Sequence, residues 1–189
     1  AVLDQDISLA QALVGDLLGS VPAYDDISAF LATDGLDIVV ESASQAAIKA
    51  YGATILECGA SLLMMSSGAL LDPDTYASMT AASVASKAQI IVPSGAVGGI
   101  DALRAARRDL DSVTIVSTKP PRALSGAPGF AAWEDTEISG PTVVYEGAAM
   151  DAVPLFPANV NVAATVSLAG LGPQKTKVKV VADPASPGN

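Results

Sequence analysis

Through the first half of the chain, short runs of consecutive apolar residues alternate with longer stretches in which apolar positions recur every three or four residues. Ala1 to Leu3, Asp37 to Val40, Leu62 to Met65 and Gln89 to Val92 are the runs, and each reads as a strand buried on both faces. Between them, Ser8 is placed to cap a helix through Leu18 with Leu9, Leu13 and Leu17 on one face. Asp25 and Asp26 suit the start of a short helical turn carrying Ile27, Phe30 and Leu31. Ser44 is placed to cap a helix whose stripe is Ile48, Tyr51, Ile55 and Leu56, with Gly59 where a left-handed C-terminal cap is expected. Asp72 followed by Pro73 opens a helix to about Lys87. Strands separated by helices in this way predict an α/β unit with a parallel sheet.

After Pro93 the pattern changes. A helix from Gly99 to Arg108 leads to a strand from Val113 to Ser117, and a second strand follows over Thr142 to Glu146. Met150 to Leu155 and Val160 to Leu168 read as helices. Thr176 to Val181 alternates lysine with valine, which marks a sheet with one wet face. Pro120 to Glu137 is rich in Pro, Gly and Ala with little periodicity and is expected to be a long surface loop. The change predicts a second, α+β domain, dividing the chain into residues 1–97 and 98–189.

Composition narrows the functions. With half of its 189 residues apolar, the chain can bury a core. It carries 20 acidic against 10 basic residues and no histidine, a net charge of −10, so it offers no cationic face to a nucleic acid. No apolar run approaches the ~20 residues of a membrane helix. Cys58 has no cysteine to pair with and no leader-like segment opens the chain, so a reducing cytoplasm is expected. The chain starts inside an apolar run and stops after the loop-like Pro184 to Gly188, and it reads as the interior of a longer one.

Candidate chemistry gathers where strands end. Asp4 follows the first strand, where an acid can hydrogen-bond an adenosine ribose about 20 residues after a glycine fingerprint; a turn residue is the plainer reading. Ser42, Ala43 and Ser44 form a turn of small residues before a helix, and Ser66, Ser67, Gly68 and Ala69 repeat the arrangement one strand later. Two such turns at the carboxyl edge of one sheet favour a ligand site, since small side chains let backbone N–H groups approach a cofactor. Pro93 to Asp101, with Ala96, reads as a hinge between domains and also lies where a cofactor and substrate would meet. Asn159 reads as an N-cap, and Asn161 reads equally as a cap or as a ligand contact through its carboxamide. Lys119 and Arg122 suit a dicarboxylate or a solvated loop, whereas Arg104, Arg107 and Arg108 read as a wet helix face. With no histidine to activate Ser or Cys58 and no spaced metal ligands, nucleophilic and zinc chemistry are set aside.

Together the segments VVESASQAAIKAYG, MMSSGAL, VPSGAVGGIDAL, STKPPRAL, LFPANVNVAATVSLAG and KVKVVADP resemble the L-aspartate dehydrogenase family. The resemblance implies a truncated Rossmann-type parallel-sheet domain lacking its first strand, followed by an α+β sheet domain like those of dihydrodipicolinate reductase and homoserine dehydrogenase. It implies oxidation of L-aspartate by NAD or NADP to iminoaspartate, leading to oxaloacetate or toward NAD biosynthesis, and self-association through the second domain. By position it makes Asp4 the ribose acid, Ala96 and Asn161 cofactor contacts, and residues 42–44 and 66–69 the nicotinamide side. The family's catalytic histidine stands in an Asn-x-His sequence, and Asn189 resembles that Asn, so the general acid/base is expected beyond the last residue. These 189 residues alone are accordingly expected to bind cofactor weakly and turn over little aspartate. The alternatives are a homoserine dehydrogenase-like oxidoreductase and a catalytically silent nucleotide-binding protein.

Overall fold

In a computed structural model the fold is described for residues 1–17, 20–157 and 161–187. The first lobe runs β1 (Val2–Leu3), α1 (Ile7–Gly15), β2 (Ala23–Tyr24), α2 (Ile27–Leu31), β3 (Ile38–Glu41), α3 (Gln45–Glu57), β4 (Ser61–Met64), α4 (Pro73–Ser86) and β5 (Ile90–Ile91), with a 3-10 segment, Ser67–Leu71, before α4. All strand pairings in it are parallel, but they form two sheets, β1–β2 and β3–β4–β5. One apolar cluster serves both: Phe30, Val39, Ile48, Leu56, Leu62, Met64 and Met79 are among its buried members, and Leu3 and Tyr24 pack on its margin. Every crossover between consecutive parallel strands is helical or carries a helix, as that geometry requires.

The helix starts follow from local hydrogen bonding. Asp26 caps α2 by accepting from Ala29 N–H at 2.8 Å, and Ser44 caps α3 by accepting from Ala47 N–H at 3.1 Å. Gly59 takes the left-handed φ of 93° expected after α3. For α1, however, the cap is Asp6 and not Ser8: the Asp6 carboxylate accepts from Ser8 N–H at 2.9 Å, and α1 ends at Gly15. Leu18 lies outside the described residues.

Several apolar positions expected inside face outward. Leu9 and Leu13 on α1 are 59% and 52% exposed, and β3 alternates, with Val39 buried and Val40 59% exposed. Periodicity marks the face a helix or strand would bury, but among the described residues nothing packs over these faces. On α3, Tyr51 is exposed; the helix instead brings Gly52 against Met79 of α4, where an added Cβ would lie 2.9 Å from the sulfur.

The second lobe comprises α5 (Ile100–Ala105), β6 (Val113–Lys119), β7 (Thr142–Ala148), α6 (Ala149–Leu155), α7 (Asn161–Ala169) and β8 (Thr176–Ala182). Its mixed sheet has β8 in the centre, parallel to β6 and antiparallel to β7. Val178 and Val180 of β8 face the core, while Lys177 and Lys179 face away, as the alternation predicts. The stretch 120–137 lies largely on the surface, as expected, but it is anchored and not structureless. It folds as two 3-10 segments, Pro121–Ala123 and Pro128–Trp133, that bury Leu124 and Phe130 fully in the second cluster against Phe156. Short apolar insertions need no periodicity to reach a core when the backbone turns every three residues.

The lobes share residues. Leu71, in the first half, belongs to the second apolar cluster, and Leu168 of α7 packs against both. Among the described residues, no helix is long and apolar enough to cross a membrane.

Asp72 caps α4 by accepting from Thr75 N–H and Thr75 Oγ1, both at 2.9 Å, and pairs with Lys49 of α3 at 3.1 Å. These bonds, the Thr75 N–H first, hold its carboxyl down at about 2 from an ordinary 3.8. A lowered folded-state pKa gives stability that is complete above the ordinary value and is lost as pH falls through the lowered one. Because the side chain is partly solvated, the expected effect of Asp72→Ala is that of a cap, about 1 kcal/mol at pH 7. Urea unfolding of both proteins is expected to show that difference shrinking between about pH 4 and pH 2; a difference independent of pH would refute this account.

Candidate functional site

Strands β3 and β4 pair in register, with Glu41 opposite Met64, so both end at one edge of the sheet and the turns after them lie side by side. Glu41 is buried there. Its Oε1 accepts from Ala43 N–H and from the Ser66 hydroxyl, each at 2.8 Å, and its Oε2 accepts from Ser66 N–H at 3.0 Å. One carboxylate thus fastens the turn that leads into α3 to the turn that leads into the Ser67–Leu71 segment.

The second lobe closes the site from the other side. Asn161, at the start of α7, accepts from Gly68 N–H through Oδ1 at 3.1 Å, and its backbone carbonyl accepts from the Ser67 hydroxyl at 2.9 Å. Ser67 Oγ also lies 3.1 Å from Thr165 Oγ1, one turn further along α7. Gln45, the first residue of α3, donates from Nε2 to the Pro157 carbonyl at 3.0 Å. Gly68 has no room for a side chain: a Cβ would stand 2.6 Å from Gln45 Nε2 and 3.1 Å from Asn161 Oδ1.

Between these elements lies a cleft of about 370 Å³ lined by Ala43, Ser44, Gln45, Ala46, Ser66, Pro157 and Asn161. No lining side chain titrates near neutral pH. The lining therefore offers small surfaces, amides and hydroxyls that can bind and orient a ligand, at the N-terminal end of α3.

Of the residues expected at a site, Ala43, Ser44, Ser66 and Asn161 line this one cleft. Ser67 and Gly68 stand behind it and hold Asn161. Ser42 is exposed and outside the lining. Asp4 is not in the cleft either: its Oδ1 accepts from Asp6 N–H at 2.9 Å and its own N–H donates to the Tyr24 carbonyl, the arrangement of a turn. Ala96 is exposed in a turn closed by Val97 N–H on the Ser94 carbonyl, away from the cleft lining. Lys119 and Arg122 do not line it, Arg104, Arg107 and Arg108 are exposed, and Asn159 lies outside the described residues. Glu41, Gln45 and Pro157 were missed. Glu41 had a signal, an acid ending an otherwise apolar strand just before small residues; Gln45 and Pro157 had none, because only tertiary folding joins them.

Residues 1–93 match the family model described as "Homoserine dehydrogenase, NAD binding domain", and residues 101–189 match "Aspartate dehydrogenase, C-terminal". The chain is 42% identical over 188 residues to an L-aspartate dehydrogenase of Nitrosopumilus maritimus, covering 98% of this chain and 67% of that protein. Identity to an L-aspartate dehydrogenase of Methanosarcina acetivorans is 39%, over 98% of this chain and 69% of the relative. The chain belongs to the L-aspartate dehydrogenase family. A crystal structure of aspartate dehydrogenase from Thermotoga maritima superposes with a TM-score of 0.76 at 29% identity, over 99% of this chain and 79% of that one. The fold is thus the family's α/β arrangement, a Rossmann-like NAD-binding domain followed by the aspartate dehydrogenase C-terminal domain.

In this family member the contact at Gly68 makes a sharp test. Gly68→Ala is expected to lower stability by about 1–3 kcal/mol in urea unfolding, since the methyl group must displace Gln45 or part Asn161 from its N–H donor. Adding Gln45→Ala is expected to restore part of the loss, and strict additivity of the two changes would show that the contact is not the cause.

Proposed function

We propose that the protein is an NAD(P)-dependent L-aspartate dehydrogenase, oxidising L-aspartate to iminoaspartate and releasing one proton, with hydrolysis of the imine to oxaloacetate and ammonia. The observation that carries this reading is the convergence of Ala43, Ser44, Ser66 and Asn161, from both lobes, on one cleft at the carboxyl edge of a parallel sheet. The cleft suits a flat ring. Its first-lobe wall is built from alanine, serine and Gln45, and Gly68 lets the Ser67–Leu71 segment approach Gln45 and Asn161 more closely than any side chain would allow.

Ser66 and Asn161 would hold the nicotinamide end of the cofactor, with Ala43, Ser44 and the first turn of α3 beside it. The bound nicotinamide supplies the hydride acceptor. The chain's own part in the cleft is to bind and orient, because none of the lining groups exchanges protons near neutral pH. Asp4 remains our proposed ribose contact, as an acid at the end of β1, and Ala96 and Ser42 are kept as outer contacts that a bound dinucleotide would have to reach. We place the lobe boundary near Val97, between residues 1–97 and 98–189, a division that the gap between the matched spans supports. A cytoplasmic location fits the unpaired Cys58.

We further infer self-association through the second lobe. The face of its sheet turned from the core exposes Val116 and Val143 around the Lys179–Glu146 ion pair, which closes at 3.2 Å. Light scattering on a gel-filtration column is expected to show an oligomer that Val116→Glu with Val143→Glu converts to monomer; an unchanged mass would refute the role of this face.

The decisive assay is reduction of NAD and NADP by the natural protein with L-aspartate, compared with L-glutamate and homoserine. Aspartate is expected to be strongly preferred, and a preference for homoserine would overturn the assignment. Asn161→Ala is expected to weaken cofactor binding about tenfold, roughly 1.4 kcal/mol, by removing a ligand contact and the acceptor of Gly68 N–H together.

A further inference from the structure

Glu41 is the one acid buried among the described residues, and the roles assigned above leave it unused. It faces three donors: Ala43 N–H, Ser66 N–H and the Ser66 hydroxyl. A carboxylate satisfies all three, because both of its oxygens only accept. A carboxamide cannot. Whichever way it turned, its NH₂ would face the backbone N–H of Ser66 or of Ala43, and neither can reverse.

The Ser66 hydroxyl has one proton, and the 2.8 Å bond to Glu41 commits it. Any further hydrogen bond that Ser66 Oγ makes into the cleft must therefore be as an acceptor. Asn161 is committed in the opposite sense. Its Oδ1 is held by Gly68 N–H, a donor that fixes which end of the amide is oxygen, and its NH₂ remains to donate. Both residues line the same cleft, so the first lobe contributes an acceptor and the second a donor. A primary carboxamide answers both at once. A methyl ketone of the same shape has no N–H for Ser66.

We propose that Glu41 is a positioning residue that fixes the Ser66 hydroxyl as an acceptor toward the cleft, so that Ser66 and Asn161 together select a carboxamide over an isosteric ketone, a selection that rests on the nicotinamide reading of the cleft. The test uses the natural protein and measures Kd by calorimetry for NAD and for its 3-acetylpyridine analogue, in which a methyl ketone replaces the carboxamide, with aspartate turnover followed in parallel. Wild-type protein is expected to bind NAD at least about tenfold more tightly than the analogue. In Glu41→Gln the new NH₂ can donate to Ser66 Oγ and release its proton toward the cleft, and the preference is expected to fall below about threefold. Ser66→Ala is expected to give the same fall while keeping the backbone N–H bond to Glu41, and Glu41→Asp, which draws the carboxylate back from the Ser66 hydroxyl by one methylene, takes the place of Glu41→Gln should that variant fail to fold. General loss of stability would weaken both dinucleotides alike and leave their ratio unchanged. Equal wild-type affinities beside normal aspartate turnover would overturn the role of Glu41 and spare the functional assignment. Wild-type protein that binds neither dinucleotide overturns both. A wild-type ratio retained in the two variants would overturn the positioning role.

Discussion

A carboxylate withdrawn from water has to find its hydrogen bonds inside the protein, and at the end of β3 Glu41 finds them on two separate turns. The remaining architecture of the site follows from that requirement. Ala43 and Ser66 are held with their N–H groups converging on one point, so the start of α3 and the start of the Ser67–Leu71 segment cannot drift apart without stranding a buried charge. The segment held in this way then presents Ser67 and Gly68 to α7, which fixes Asn161. A chain of committed bonds thus runs from the sheet of the first lobe to a helix of the second, and the cleft lies along it.

That chain changes the meaning of a two-lobed molecule. A boundary near Val97 would ordinarily suggest a hinge about which the lobes swing. Here Leu71 is buried in the second lobe's cluster, Leu168 touches both clusters, and Gln45 reaches across to Pro157. Swinging the lobes would break apolar and polar contacts together. The walls formed by Ser66 and Asn161 are consequently preorganised, and a ligand gains affinity there because little ordering remains to be done when it arrives.

The parts of the fold legible in the sequence were those decided within a few residues. Capping at Asp26, Ser44 and Asp72, the left-handed Gly59 and the alternation in β8 all depend on local hydrogen bonds or on the two-residue period of a strand. The turns at 42–44 and 66–68 could be singled out for the same reason, since small residues after an apolar run say where a backbone can be approached. What covers a surface is a different kind of fact. Leu9, Leu13 and Val40 carry the right period for burial and stay exposed, while Leu124 and Phe130 carry no period and are buried. Asp4, at the end of β1, and Ala96, in the turn after β5, stand outside the lining of this cleft. Glu41 has a local mark, an acid ending an apolar strand, but its bond to Ser66 spans 25 residues, a separation that only the in-register pairing of β3 with β4 closes.

Charge gives the arrangement its direction. With a net charge of −10 the chain repels the anionic parts of a dinucleotide and of aspartate at long range, so their binding has to come from local features such as helix starts, free N–H groups and individual cations. At the cleft the N–H groups of Ala43 and Ser66 are already turned inward to Glu41 and are not free to hold a phosphate. The backbone N–H groups that remain at the cleft are those of Gln45 and Ala46 in the first turn of α3. The nicotinamide we propose there would bring an uncharged amide able to use the Ser66 hydroxyl and the Asn161 carboxamide. On that reading the donors spent on Glu41 leave the side chains of Ser66 and Asn161, and not the N–H groups of the two turns, to orient the ring.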